Sequence, residues 1–209
     1  LKRKIRNRLL DMGESIFVQS DDKNVDGYKS LKERAAKIPA FDTAMKKGKN
    51  ADSSANYQAA YQAACQEWMD VRTFGQVFAF KNVELSLGIR GPVSIHPAFS
   101  VDPINITSIQ ITKSVNSEDT DKVKASDTMG MKHRVDFGVY LLKGSINVQL
   151  AEKTGFTQED AEKMKEAIRT LFVNDSSSAR PEGSMEIYKL YWWEHNCKIG
   201  QYSTKKVHD

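Results

Sequence analysis

Apolar residues recur at helical spacing in the first twelve positions of the chain. Ile5, Leu9 and Met12 fall on one side of a helix, and Gly13 follows as a stop. The other faces carry cations: Lys2, Arg3, Arg6 and Arg8. The pattern predicts a short helix with one strongly cationic side. Charged faces usually point into solvent, but no acid precedes Asp11, so a phosphate-binding role stays equally open.

Further helices follow from the same spacing. A short helix is expected at residues 28–37, ended by Pro39. The next helix has an apolar stripe that indicates a core: Tyr57, Tyr61, Ala64, Cys65, Trp68 and Met69. The clearest helix begins at Thr157, with Asp160 three residues on as the acid of a capping box. Its buried stripe comprises Ala161, Met164, Ile168, Leu171 and Phe172.

Alternating apolar and polar residues predict strands from position 73 onward, broken at Gly88 and Gly91. Two longer alternating segments occupy residues 104–113 and 134–140. Further strands are expected at 145–150 and 185–193, on either side of the capped helix. A strand, a helix and a strand make half of a ferredoxin-like or RNA-recognition-type α+β sandwich. The opening strand of the other half would precede the basic helix, so we expect the chain to be truncated.

The link at residues 113–134 is about twenty residues long, far more than a hairpin requires. Its middle is acidic, and its cations lie near the two roots: Lys113, Lys132 and Arg134. Met129 and Met131 flank a glycine near its far end. We predict an arm on a sheet whose methionines wedge between stacked bases, or pack against the arm's root or a neighbouring subunit.

Composition is that of an ordinary soluble globular protein, with 40% hydrophobic and 28% charged residues among 209. The net charge of +4 tilts it mildly toward anionic partners. Cys65 and Cys197 are far apart and form no metal-binding motif, which favours a reducing cytoplasm. No apolar run approaches the roughly 20 residues of a membrane span, and no signal peptide is recognisable.

Catalytic patterns are missing from the sequence. The four histidines lie apart, and no nucleotide-binding glycine motif or metal-ligand spacing occurs, so we expect neither a metal nor a cofactor. The main rival to a binding function is an endoribonuclease with His133 as general base and Lys132 or Arg134 stabilising charge. Metal-dependent cleavage through Asp127 is a weaker variant. A purely self-associating structural protein is a third class.

Two arginines in turns suit a binding role. Arg90 lies between two glycines, where its guanidinium can reach a phosphate or pair with a local acid. Arg180 follows a run of serines whose hydroxyls and amides also suit an anion.

Six ordered blocks then resemble one family. They are Leu1-Lys-Arg-Lys-Ile-Arg-Asn7, Asp70-Val-Arg-Thr-Phe-Gly75, Gly88-Ile-Arg-Gly-Pro-Val-Ser94, Ile106-Thr-Ser-Ile-Gln-Ile-Thr-Lys113, Asp127-Thr-Met-Gly-Met-Lys132 and Asn174-Asp-Ser-Ser-Ser-Ala-Arg-Pro-Glu-Gly-Ser-Met185. This series resembles the Cas-seven backbone subunit of type I CRISPR surveillance complexes, and most of all that of the type I-C (Dvulg) subtype.

The resemblance implies a right-hand shape within one unit spanning residues 1–209. An RNA-recognition-like palm would carry helical fingers at about 14–72 and a thumb at about 113–134. It implies a non-catalytic subunit that polymerises along CRISPR RNA and supports target DNA recognition in antiviral defence. The expected partners are CRISPR RNA, target DNA, further copies of the chain, and Cascade subunits of the Cas-five, Cas-eight and small-subunit types.

The resemblance also assigns roles to residues. Lys2, Arg3 and Arg6 would hold guide phosphates, Arg90 and Arg180 would flank the RNA path, and the two methionines would lie near a displaced base. The chain departs from the family pattern in its missing opening strand, in its early end and in a short segment between Lys81 and Ser86.

Overall fold

The computed structural model describes residues 1–46, 53–81, 86–112 and 129–208. The chain divides into two compact units, one of Leu1–Ile95 with Gly144–Asp209 and one of His96–Lys143. The first unit combines helices with two small sheets, and the second holds two further small sheets. This combination confirms the α+β class.

The α-helices of the described residues are α1 (Lys2–Asp11), α2 (Leu31–Ala36), α3 (Pro39–Lys46), α4 (Ser53–Glu67), α5 (Met69–Phe74), α6 (Val148–Thr154), α7 (Gln158–Arg169) and α8 (Thr204–His208), and a 3₁₀ helix spans Asp21–Lys23. The strands are β1 (Gly75–Ala79), β2 (Ser86–Arg90), β3 (Val93–Ile95), β4 (Phe99–Ser100), β5 (Ile106–Thr112), β6 (Met129–Val135), β7 (Tyr140–Leu141) and β8 (Gly144–Ile146). They pair antiparallel as β1–β2, β3–β8, β4–β7 and β5–β6, each pair a two-stranded sheet.

Aromatic rings form the centre of one core in the first unit. The Phe17 ring centroid lies 4.5 Å from that of Trp68 and 4.9 Å from that of Phe78. Phe41 completes the cluster, with its centroid 4.7 Å from that of Phe78. Ala64, Cys65 and Trp68 of the predicted apolar stripe pack here, and burial raises the pKa of the Cys65 thiol to about 11, so that thiol is unreactive near neutral pH. The rest of the stripe differs from the prediction, since Tyr57 is 37% exposed and Met69 lies in α5 and packs in a second core.

A second core joins α1 to α7. Ile5 and Leu9 are buried in it together with Met164. The predicted capping box of α7 is present, because Thr157 accepts a hydrogen bond from the Asp160 amide at 3.2 Å and its own amide donates to the Asp160 carboxylate at 3.0 Å. Local capping and burial of one face thus fix this helix as the sequence predicts.

Asp160 also ties α7 to α5. Arg72 donates from Nε and from one terminal nitrogen to the two carboxylate oxygens, at 3.0 and 2.8 Å. Burial alone would raise the pKa of Asp160, but hydrogen bonds from Arg72 and from the Thr157 amide outweigh it and hold that pKa below its ordinary value. Arg72, the arginine of the sequence block at residues 70–75, therefore stabilises the fold.

The end of α5 and the end of β2 touch backbone to backbone. A Cβ on Gly91 would lie 2.4 Å from the Gly75 nitrogen and from the Thr73 oxygen. Gly75 has φ of 76°, and a Cβ there would meet the Ile89 oxygen at 2.2 Å. Only glycine fits at both positions. This contact fixes the backbone around Arg90, which pairs with Gly75 in the β1–β2 register.

In the second unit, β5 and β6 form a hairpin whose register runs from Ile106 opposite Val135 to Thr112 opposite Met129. The residues of the connection, 113–128, lie outside the described part of the chain. The strand predicted at residues 134–140 is displaced, since β6 spans Met129–Val135 and residues 136–139 belong to no strand. Met129 and Met131 are consequently strand residues, not loop residues of an arm.

The strand predicted at residues 145–150 is wrong beyond Ile146. The Asn147 side chain accepts a hydrogen bond from the Leu150 amide and so caps α6, and Gly155 ends that helix with φ of 73°. A helix therefore starts where the alternating pattern suggested a continuing strand.

The strand predicted at residues 185–193 is also wrong, since this segment has no regular secondary structure. Ile187 and Trp192 pack against the second core, and this tertiary contact takes the place of strand pairing. Pro39 likewise does not simply end a helix, because it starts α3, where a proline at the first position is favourable.

Candidate nucleic-acid interface

The cations of α1 are largely held by acids that come from distant parts of the chain. Arg3 pairs with Asp22 at 3.0 Å and Arg6 with Asp70 at 2.8 Å, while Lys4 pairs with Asp175. The prediction of one strongly cationic side is therefore too simple. Three acids from outside α1 fold onto this helix in addition to its own Asp11.

Arg6 belongs to a buried network. Its Nε donates to Asp70, whose carboxylate also accepts from the backbone amides of Phe17 at 2.7 Å and Val18 at 3.1 Å. The Asp70 side chain is 1% exposed and that of Arg6 is 15% exposed. Arg6 thus stabilises the fold, and its contact with guide phosphate stays a prediction.

Arg3 is far more accessible. Its side chain is 69% exposed, and Asp22 opposite it is similarly exposed. The Ser20 hydroxyl, with a smaller contribution from Arg3, lowers the pKa of Asp22. Exposed pairs of this kind are weak and exchange readily with other anions. Arg3 can therefore turn to a phosphate at little cost.

Lys2, Arg6 and Arg90 converge on the junction of α5 and β1. The Lys2 amine lies 5.4 Å from the centroid of the Phe74 ring, and the Arg6 guanidinium lies 5.3 Å from it. Arg90 is exposed and pairs through its backbone with Gly75, the residue after Phe74. No acid of the described residues forms an ion pair with Lys2 or Arg90. The fold thus places two predicted cations, Lys2 and Arg6, against one ring and pairs the backbone of Arg90 with the residue that follows it.

Arg180 belongs to a different cluster. Its Nε lies 3.3 Å from an Asp175 oxygen, and Asp175 also pairs with Lys4 of α1. Ser177 and Arg180 exchange backbone hydrogen bonds at 2.8 and 3.0 Å, which closes the serine-rich turn. The sequence singled out Arg180 but missed Lys4, because the aspartate that brings the two together lies 171 residues from Lys4.

The hairpin of the second unit has two different faces. Directly paired residues share a face and successive residues alternate. Met129, Met131 and His133 consequently lie on one face, whereas Lys132 and Arg134 lie on the other. The two methionines are 63% and 56% exposed. The predicted apolar contact and the predicted cationic contact therefore belong to opposite sides of the hairpin, and Lys113 lies outside the described residues.

Arg134 is partly neutralised on its face. It pairs with Asp136 at 2.7 Å, and the Thr107 hydroxyl, with Arg134 second, lowers the pKa of Asp136. Lys132 forms no ion pair within the described residues. Lys132 is thus the more available cation of this strand.

The residues of the ribonuclease alternative do not converge. His133 accepts or donates a hydrogen bond with the Ser108 hydroxyl at 2.9 Å, across the hairpin. Its proposed partners Lys132 and Arg134 point to the opposite face, as adjacent strand residues must. Asp127 lies outside the described residues. Among the residues that are described, no group of three or more histidine, cysteine, aspartate or glutamate side chains could hold a metal.

None of the described helices is long and apolar enough to cross a lipid bilayer.

Comparison with known proteins identifies the family through a match to a family model. A search of curated proteins found nothing similar. One solved structure, described as a CRISPR RNA-guided surveillance complex in a pre-nicking state, has 14% sequence identity and a TM-score of 0.41. The match covers 86% of this chain and 58% of that chain. The family model for CRISPR-associated protein Cas7 matches residues 1–209. The family expected from the six sequence blocks is confirmed, and the chain belongs to the CRISPR-associated protein Cas7 family.

Proposed function

We propose that this protein is a non-catalytic backbone subunit that binds CRISPR RNA and polymerises along it. The observation that carries the proposal is the family match over residues 1–209. In this proposal the complex is a cytoplasmic Cascade of type I-C, the subtype that the sequence blocks resemble. The subunit supports target DNA recognition there, together with subunits of the Cas-five, Cas-eight and small-subunit types.

Three cations, Lys2, Arg3 and Arg90, support RNA binding by the first unit. Lys2 and Arg90 carry charges without an acid partner among the described residues, and the pair of Arg3 with Asp22 is exposed. Such groups bind phosphates without regard to base sequence and release counterions as they do so. This is the chemistry that a subunit needs if it repeats along a guide of any sequence.

The two-faced hairpin supports a separate role for the second unit. In the proposal it forms the thumb of a hand-shaped fold, with the helices of residues 14–72 as fingers and an RNA-recognition-like palm. The methionine face would contact a displaced base or a neighbouring subunit, since exposed thioethers adapt to irregular apolar surfaces. The Lys132 face would lie along a phosphate backbone.

Strand geometry disfavours the ribonuclease that uses His133. A general base and the cation that stabilises the developing charge must reach the same reacting group. His133 lies on the opposite face of the hairpin from both Lys132 and Arg134, so neither cation faces the group that His133 would deprotonate.

Binding of guide RNA at increasing salt tests the proposal. We expect the full chain to bind CRISPR RNA in multiples, with affinity falling steeply as salt rises. Lys2→Gln combined with Arg3→Gln should weaken binding of all sequences and lower the salt slope by roughly one per lost phosphate contact. Lys32→Gln, an exposed lysine of α2, is the matched control and should change neither quantity.

The design leaves Arg6 unchanged, because its loss would disturb the fold through Asp70. An unchanged affinity and salt slope in the Lys2/Arg3 variant would refute the phosphate contacts. Cleavage of repeat RNA that is lost in His133→Ala would instead establish the ribonuclease. Oligomers that persist after nuclease treatment would establish a self-associating structural protein.

A further inference from the structure

An exposed stack of side chains lies in the segment that the sequence predicted to be a strand. The Lys189 amine lies 5.3 Å from the centroid of the Tyr191 ring. Tyr191 in turn stacks on Trp193, with centroids 5.6 Å apart and ring planes inclined by 20°. The three side chains form a continuous ladder, which ends at the indole of Trp193.

Packing within the protein does not account for this ladder. Tyr191 is 62% exposed and Trp193 is 60% exposed. The adjacent Trp192 behaves differently, since it packs against the second core and lies under the Lys165 amine at 5.7 Å. Apart from Tyr191, no ring or cation of the described residues contacts Trp193. One face of a pre-oriented indole therefore remains open.

The charge of the segment that carries the ladder indicates what could cover that face. Between Met185 and His208 the chain has four lysines and two glutamates, and one of the lysines, Lys198, is paired with Glu152. Two of the lysines lie against exposed aromatic rings, Lys189 over Tyr191 and Lys206 over Tyr202 at 4.6 Å. Aromatic rings that stack bases, beside cations that neutralise the backbone, are the usual binding elements for single strands. A purely apolar protein partner would gain nothing from cations in these positions.

We propose that Lys189, Tyr191 and Trp193 form a stacking platform for an unpaired base of a single-stranded nucleic acid. The base stacks on the open face of Trp193 and extends the ladder, while Lys189 contacts a phosphate beside it. This inference rests on the proposed function and adds a second kind of contact to it. Phosphate contacts set the strength of binding at low salt, and the platform selects unpaired over paired strands.

Titration of the full chain with three labelled probes tests the platform. The probes are oligouridylate, oligothymidylate and a blunt RNA duplex. Trp193→Ala should weaken binding of the single strands about tenfold, the loss of one stacked base, and leave the salt slope unchanged. Trp193→Phe should retain most of the affinity. Tyr188→Ala is the matched control, because Tyr188 is 88% exposed in the same segment but outside the ladder.

Each outcome decides the proposal. If Trp193→Ala weakens the binding of oligouridylate and oligothymidylate equally, the platform accepts either RNA or DNA. If it weakens the binding of oligouridylate alone, the platform is specific for RNA. Wild-type affinity in Trp193→Ala, or an equal loss on the duplex, overturns the platform. A change in self-association instead of nucleic-acid binding would assign the ladder to a protein contact and also overturns it.

The two proposals fail in different ways. If the wild-type protein bound neither the three probes nor CRISPR RNA, the proposed function itself would be wrong. If Lys2→Gln lowered the salt slope while Trp193→Ala bound normally, the platform alone would fall. Unchanged melting temperatures of the variants show that the fold is intact in each comparison.

Discussion

Replacing Asp70 by asparagine should destabilise the first unit far more than the same change at an exposed ion pair. The carboxylate accepts hydrogen bonds from the Phe17 amide, the Val18 amide and Arg6 Nε, at 2.7, 3.1 and 2.8 Å. Asparagine has one acceptor oxygen and an amide nitrogen that only donates. In either orientation of the new side chain, at least one of these donors loses its acceptor. The Arg6 guanidinium also loses its counter-charge.

The size of the effect follows from burial. Leaving a buried donor unsatisfied costs about 1–3 kcal/mol, and breaking a buried ion pair costs about 3–5 kcal/mol. Arg6 is 15% exposed, so water can solvate it in part, and the lower end of the second range applies. A loss of about 3 kcal/mol corresponds to a fall in melting temperature of roughly 6–12 °C for a chain of this length. Thermal unfolding followed by circular dichroism measures it directly.

The matched control is Asp22→Asn, which removes the acid facing Arg3 on the same helix. This pair is exposed, so its loss should leave the melting temperature unchanged. If Asp70→Asn melted at the same temperature as Asp22→Asn, the buried network would not stabilise the fold. The separation of α1 cations into structural and phosphate-binding groups would then be wrong.

The backbone contact, the buried ion pair of α7 and the hairpin each give a further test. Gly91→Ala should lower the melting temperature, since its Cβ would lie 2.4 Å from backbone atoms, whereas Gly88→Ala places its Cβ in open space and should not. The folded pKa of Asp160 lies below the ordinary value of 3.8, so its stabilisation is present above that pH and is lost on acidification. Asp160→Asn should therefore reduce the fall in the free energy of unfolding on acidification, measured by urea unfolding at a series of pH values. The same fall as in the wild-type protein would contradict this. Met129→Gln with Met131→Gln should weaken target-strand pairing or assembly and leave the salt slope of guide binding unchanged; a lower slope would contradict the assignment of faces.

Helical spacing and capping residues predicted α1 and α7. The spacing of Ile5 and Leu9 located α1, and the capping box of Thr157 and Asp160 located α7. The same kind of signal marked α6, through Asn147 before the helix and Gly155 after it, but the short alternating run obscured it. Caps deserve more weight than alternation when a run is this short.

Long-range partners could not be predicted. The acids that pair with cations of α1 are Asp22, Asp70 and Asp175, and the sequence of the helix contains no signal that predicts these pairs. For the same reason the sequence predicts one phosphate-binding group of adjacent cations, although Arg6 is held in a buried ion pair with Asp70. The strand predicted at residues 185–193 is wrong because Ile187 and Trp192 pack against a core, the other large aromatic side chains are exposed, and no strand of the described residues pairs with the segment.

The central claim is that this protein assembles on RNA. It is tested most directly by the mass and the 260-to-280 nm absorbance ratio of the purified complex, measured before and after ribonuclease treatment. We expect large particles that contain nucleic acid and fall apart to single chains once the exposed RNA is digested, and that form again in regular steps of mass when CRISPR RNA is added. Large particles that lack nucleic acid, or that keep their mass after complete digestion of the RNA, would contradict the account.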